Sequence, residues 1–285
     1  MTEPTIQLGK IAGPIETTID GDHAAAYALA TNDPNPAYLD GGIVPPVFTV
    51  SLGLPLLHEA NQLGVPAGAV RGATGGVHGQ HDLLLHRTLR AGDFVRVTGT
   101  MHGAYNTKGG AITTVRILVA GEDGEPYVEH LWSSFHIKGE LDEVGPPLAD
   151  HSFPEEARSA SLGALVVPVE RDQSFRYAGS STDHAPMHVH DESARRVGFP
   201  SKFMQGLCTF AMCSRGVVQL GADGDPTRLR RMAARFASPV FPGNELEVSV
   251  YDAGRTVDGG RQLAFEAVSA DKMVIRHGRA ELHPA

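Results

Sequence analysis

The stretch YAGSSTDHAPMH (residues 177–188) restates YALATNDPNPAY (residues 27–38). Tyr27, Asp33 and Pro36 align with Tyr177, Asp183 and Pro186 at a constant offset of 150 residues. Farther on, R90-A-G92-D-F-V-R-V lines up with F241-P-G243-N-E-L-E-V at an offset of 151. Landmarks that hold nearly one spacing across more than 60 residues mark an internal duplication. The reading is two copies of one fold, residues 1–145 and 160–285. A proline-rich, acidic linker around residues 140–165 (LDEVGPPLADHSFPEE, 141–156) joins them.

Each copy follows one plan. A polar, proline-containing loop precedes an apolar helical stretch, Phe48 to Ala60 in the first copy and Leu207 to Leu220 in the second. Leu207, Phe210, Ala211 and Val217 recur at helical spacing. Three alternating stretches follow in each copy: 94–101, 111–120 and 127–137, then 246–251, 261–268 and 273–282. The first copy's turns, NTKGG and GEDGE, carry the residues that hairpins require. One helix followed by antiparallel strands implies an α+β unit whose sheet wraps around that helix.

The chain has 285 residues and a formal net charge of −9. That charge argues against a nucleic-acid partner, which needs a clustered basic surface. Arg228, Arg230, Arg231 and Arg235 form one local basic cluster, either a solvated face or a phosphate site. Cys208 and Cys213 suggest no disulfide framework and no zinc spacing; they read as buried small residues in a reducing compartment. No apolar run is long enough to span a membrane. The N-terminal residues lack a secretory pattern, so the expected location is cytoplasmic.

The chemistry concentrates after Tyr177. Asp183 stands five residues before His188, and Pro186 stiffens the chain between them. Gly206, eighteen residues beyond His188, falls at the start of the helical stretch, where a backbone N–H can meet negative charge. Carboxylate, imidazole and N–H donor together suit the movement of water across a polarised double bond. The position matching His188 in the first copy is Tyr38, which cannot serve as a base near neutral pH. Asp33 then reads as a loop residue. A metal site built from His184, His188 and His190 fits no known zinc spacing and is not expected.

These residues resemble the MaoC-like, hydratase 2 type (R)-specific enoyl-CoA hydratases of double hot-dog fold. The resemblance is carried by D183-H-A-P-M-H188, by G198-F199, by M204-Q205-G206-L-C-T and by A234-R235-F236-A-S-P-V-F-P-G243. V77-H78-G79 and R90-A-G92-D are similar to segments flanking the family's acyl-CoA groove. The resemblance implies a catalytic second copy and a degenerate first copy that holds the acyl chain. It implies Asp183 and His188 as the acid/base pair on one water, with Gly206 as the donor to the thioester oxygen. His78, Gly79, Lys108, His184, Ala185, Pro186, Met187 and Phe236 would line the substrate. No cofactor or metal beyond the acyl-CoA substrate is implied, and a homodimer is.

Two residues depart from the family pattern. Ala185 stands where the family has asparagine, although Asn35 keeps it in the first copy; Gln205 stands where the family has histidine. The expected activity is hydration of trans-2-enoyl-CoA and its reversal. The alternatives are a non-catalytic acyl-CoA-binding protein or subunit of a larger dehydratase complex, and a hot-dog thioesterase. Acyl-chain length stays open.

Overall fold

The computed structural model describes residues 4–40, 42–146 and 152–284. By internal contact the chain divides into two compact units. One comprises Met1–Thr17, Leu52–Arg87 and Phe94–Asp150; the other comprises Thr18–Ser51, Thr88–Asp93 and His151–Ala285.

In the first unit β1 (Ile11–Thr18), β2 (Gly75–Leu85), β3 (Phe94–Thr107), β4 (Gly110–Ala120) and β5 (Pro126–Ile137) form a sheet in the order β1-β3-β4-β5-β2. The β3/β4, β4/β5 and β2/β5 pairs are antiparallel. Helix α3 (Val50–Gly64) lies on this sheet. A side chain at Gly53 would come within 2.9 Å of Ile117, so the helix backbone packs directly on β4. Alternation along β3 buries Val95 and Val97, and Val97 pairs with buried Val119 on β4.

The second unit repeats the plan. It holds α1 (Gly21–Ala30), α2 (Pro36–Leu39), β6 (Ser161–Pro168), α4 (Gln173–Ser181), α5 (Pro186–Val189), α6 (Asp191–Arg196), α7 (Gly206–Gly221), β7 (Leu229–Phe236), β8 (Glu245–Arg255), β9 (Arg261–Ser269) and β10 (Lys272–Leu282). Its strands run β7-β10-β9-β8-β6. Helix α7 is buried on nearly every side, from Leu207 through Ser214 and again at Gly216, Val217 and Val218. Such all-round burial marks a helix enclosed by a sheet. Gly216 plays the part of Gly53: a Cβ there would stand 2.8 Å from Val248.

Repeat counterparts also meet one another. Tyr27 on α1 and Tyr177 on α4 bring their hydroxyls to 3.3 Å, both fully buried. A residue that contacts its own equivalent is the mark of a twofold-like pairing of α1 with α4. Asn32 (φ 55°) and Thr182 (φ 63°), again counterparts, both turn left-handed at the helix ends.

Six strands and two long helices lie where the sequence pattern puts them. The linker expected over residues 140–165 is partly ordered: Glu155–Ser159 form a 3-10 turn and β6 begins at Ser161, while residues 147–151 lie outside the described residues. Helices α1 and α4 replace part of the expected loops. Cys208 and Cys213 are buried free thiols. Three of the four arginines of the basic cluster are in ion pairs, Arg228 with Asp223, Arg230 with Asp258 and Glu281, and Arg231 with Glu281, while Arg235 is exposed. No helix among the described residues is long and apolar enough to cross a membrane.

Candidate active site

The loop between α4 and α7 is held by its backbone. Thr182 ends α4 in the left-handed region and turns the chain out to Asp183. Asp183 is half-buried; its carboxylate accepts from the Ala185 N–H at 3.3 Å. Pro186 opens α5, where a missing N–H costs nothing. The single turn of α5 swings His188 inward to 7% exposure.

His188 donates from Nδ1 to the Phe203 carbonyl at 2.8 Å. A carbonyl can only accept, so this bond puts the proton on Nδ1 and leaves Nε2 with a lone pair. Burial lowers the His188 pKa below the ordinary imidazole value; the bond to Phe203 and the Asp183 charge oppose that shift. The ring is therefore neutral at neutral pH. Phe203 stands edge-on to it at 4.7 Å, and Phe199 packs on Phe203 at 4.2 Å. These aromatics wall the imidazole from water on one side.

Gln205 and Gly206 form the entry of α7. Gln205 is its N-cap, and no side chain caps the helix. Gly206 remains half-exposed while Leu207 to Ser214 are buried. A first-turn N–H at an uncapped helix end carries partial positive charge. The Gln205 amide donates to the Asp183 carbonyl at 3.2 Å, which ties the Asp183 loop to the start of α7. A Cβ on Gly206 would lie 3.3 Å from the Phe236 ring, so Phe236 closes on the glycine.

Thus Asp183, His188, Gly206 and Phe236 assemble around residues 203–206. Of the remaining loop residues, Ala185 and Met187 are half-buried, while His184 and Pro186 are exposed. His78, Gly79 and Lys108 belong to the first unit. His78 and Gly79 sit at a register shift in β2. The His78 ring stacks on Trp132 at 5.1 Å and meets His81 edge-on at 5.3 Å. His81 in turn is bonded to His130 at 2.9 Å. Burial pushes the His78 and His130 pKa values down to about 3, and that of His81 well below the ordinary value. Lys108 is exposed in the β3–β4 turn. Gly110 in that turn pairs with Ile137, which also pairs with Gly75, so Lys108 and His78 share one end of the first unit's sheet. No group of three or more His, Cys, Asp or Glu among the described residues is arranged to hold a metal.

The first copy's loop shows what has diverged. Asn35 caps α2 by accepting from the Ala37 N–H at 3.0 Å, and its amide donates to the Gly224 carbonyl at 2.8 Å. Ala185 makes no such cap on α5. Ala185→Asn is accordingly expected to stabilise the protein by about 1 kcal/mol, read as a higher urea midpoint. An unchanged midpoint would mean that the α5 turn gains nothing from a cap. Asp33 is 6% exposed, and burial raises its pKa to about 6. The Tyr38 hydroxyl is buried without a hydrogen-bond partner. A cleft of about 340 Å³ opens beside Asp33, lined also by Asn35, Arg215, Val218 and Gln219.

The sequence singles out Asp183, His188 and Gly206 as candidates, which the structure brings near one another, but not the Gln205 clamp or the His81–His130 pair. Gln205 stood out only as a departure from a family pattern. His81 and His130 lie 49 residues apart and meet through strand register alone.

Comparison with known proteins relates the chain to hydratases and dehydratases. Residues 155–272 match the family model described as the MaoC like domain. The chain is 26% identical over 184 residues to a probable enoyl-CoA hydratase 2 of Dictyostelium discoideum, covering 63% of this chain and 62% of that one. Across the curated relatives it matches first, the chain covers 62%, 53% and 49% of their own length. In structure it superposes on a MaoC-like dehydratase with a TM-score of 0.81 at 16% identity, over 98% of each chain. It also superposes on a Mycobacterium tuberculosis protein described as a double hot-dog fold, with a TM-score of 0.61 at 15% identity, covering 98% of this chain and 96% of that one. The fold is α+β of the hot-dog class.

Proposed function

We propose, from the match of residues 155–272 to the MaoC like domain, that the chain is a hydro-lyase, an (R)-specific 2-enoyl-CoA hydratase that also runs as a (3R)-hydroxyacyl-CoA dehydratase. One observation carries the reading. The imidazole and the carboxylate loop are both tied to the segment that enters α7, His188 through Phe203 and Asp183 through Gln205. These two ties support a reading in which the acid/base pair and the Gly206 N–H act on one substrate.

In this reading one water sits between Asp183 and His188. His188 Nε2 accepts a proton from it as its oxygen bonds to C3 of the enoyl thioester. The proton then passes to C2, so the elements of water are added with no change in oxidation state. Charge that builds on the thioester oxygen is met by the Gly206 N–H, a contribution worth about 10²–10³ in rate for donors of this kind. The absence of a side chain at Gly206 lets the thioester approach the backbone, and Phe236 braces that wall.

The acid/base pair is built once per chain, because Tyr38 replaces the imidazole in the first copy. The reaction needs no cofactor beyond the CoA thioester. His78, Gly79 and Lys108 belong to the same proposal as groove residues for acyl-CoA, and a homodimer is its assembly. Two buried free thiols suit a reducing, cytoplasmic setting.

The test is a panel of trans-2-enoyl-CoA substrates of graded length and branching, followed by loss of enoyl absorbance. The expected result is turnover on part of the panel with (3R)-hydroxyacyl product. Calorimetric acyl-CoA binding without turnover on any member would favour a binding protein. Release of free thiol from saturated acyl-CoA would favour a thioesterase.

A further inference from the structure

Two local costs stand in the loop that presents Asp183, and neither is explained by packing. Thr182 is β-branched yet adopts φ 63°, a conformation such residues rarely tolerate. Its counterpart Asn32, of a type that accepts this turn readily, sits at φ 55°. The left-handed turn is thus a requirement of the position. At Thr182 it is held by the hydroxyl, which donates to the Ser51 carbonyl at 3.0 Å.

The second cost is at Gln205, which is fully buried. Its Nε2 donates to the Ser174 carbonyl at 3.1 Å and to the Asp183 carbonyl at 3.2 Å. Both partners are acceptors, which fixes the amide nitrogen on their side and turns Oε1 away. Oε1 is buried without a hydrogen-bond partner. A structure that leaves an acceptor unsatisfied to keep two donor bonds is favouring those two bonds. One imidazole N–H can serve a single carbonyl, whereas a primary amide serves both.

We propose that Gln205 and Thr182 are positioning residues for the reaction: the amide clamp behind Asp183 and the left-handed turn before it together aim the Asp183 carboxylate at the water shared with His188. The inference rests on the hydratase reading for its kinetic consequence. Gln205 therefore takes an active part in ordering the loop and is more than the loss of a titratable histidine.

The experiment compares Gln205→Met, Gln205→His and Thr182→Val with the wild type. It reads kcat and KM on the best substrate of the panel, and the His188 titration by NMR. Gln205→Met keeps length but donates nothing. It should lower kcat by about 10- to 100-fold with KM within about threefold, as expected when a reacting group is misaligned but the substrate still binds. The His188 pKa should move further down, because the opposing Asp183 charge has moved off. Gln205→His, with one donor, should recover part of kcat. Thr182→Val keeps the β-branch but loses the donor to the Ser51 carbonyl; it should lower kcat by about 3- to 10-fold with KM within about threefold, and a wild-type kcat would remove Thr182 from the proposal.

A wild-type kcat in Gln205→Met, or a loss of kcat with an unchanged His188 titration, overturns the proposal. If Gln205→Met does not fold, Gln205→His decides it: wild-type kcat together with a wild-type His188 titration overturns the clamp. The titration does not depend on turnover, so failure of the clamp and failure of the hydratase reading are told apart.

Discussion

His188→Ala is expected to lower kcat for enoyl-CoA hydration by about 10³-fold, within the range for loss of a positioned general base. The residue is poised for that role by two opposed influences. Burial keeps the ring neutral, and the Phe203 carbonyl holds the proton on Nδ1. The free Nε2 can then take a proton at neutral pH without first losing one. The sign of the pH dependence follows. A base must be unprotonated, so kcat/KM should be level near neutrality. It should fall as pH drops through the His188 pKa, with a midpoint below the ordinary imidazole value of about 6.5. The Asp183 charge holds that pKa up, so Asp183→Asn should shift the acid limb of the residual activity lower still. An acid limb at or above the ordinary value, or a His188→Ala variant within tenfold of wild type, would remove His188 from the chemistry.

Acidification should also unfold the protein from within the first unit. His81 and His130 are 0% and 1% exposed, and burial lowers both pKa values far below those of an unfolded chain. Half-buried His78, stacked on the same cluster, behaves alike. The unfolded chain binds these protons first. The contribution of each imidazole is therefore complete above about pH 6.5 and lost as pH falls toward the folded values. Each fully buried histidine costs about 1.4 kcal/mol per pH unit in that window. His130 alone, held down to about 3, removes about 3 kcal/mol by pH 4.5, and His81 adds to the loss in the same direction, a large part of a modest domain's stability.

Asp33 acts in the opposite direction. Its raised pKa, about 6, means that protonation on acidification favours the folded state, but it is one group and belongs to the second unit. Urea midpoints from pH 8 to pH 4.5 should fall steadily below pH 6.5, with near-UV signals of Trp132 lost first. A midpoint that holds to pH 5 would mean that the imidazoles are charged in the native state.

Much of this was legible in the sequence because it is periodic or repeated. The helices α3 and α7 and six strands announce themselves through alternation and helical spacing, and the Asp183–His188 loop through duplication. What stayed hidden lacks those signals. Strand β1 is mostly exposed along its length, so it shows little inward-facing pattern. Strand β2 begins in glycine and buries His81 and Asp82 side by side, which erases the two-residue alternation. Helices α1 and α4 are short and rich in Ala, Ser and Gly. The Gln205 clamp joins residues 22 apart through a tertiary contact, and no local pattern encodes it.

The same contrast explains why two such similar loops differ in chemistry. The first copy retains its Asn35 cap and a buried Asp33 but places a phenol where the second has an imidazole. The second gives up the cap and keeps the base. The cap belongs to the first loop, and the imidazole stands in the second alone.

On the proposed reading, Asp183 and not Asp33 is the carboxylate that the reaction uses. This claim is tested most directly by the steady-state rate of enoyl-CoA hydration in two counterpart variants, Asp33→Asn and Asp183→Asn, measured side by side. The account predicts an Asp33→Asn rate within about twofold of wild type and an Asp183→Asn rate lower by about 10²–10⁴. Comparable losses in both, or a normal rate in Asp183→Asn, would contradict it.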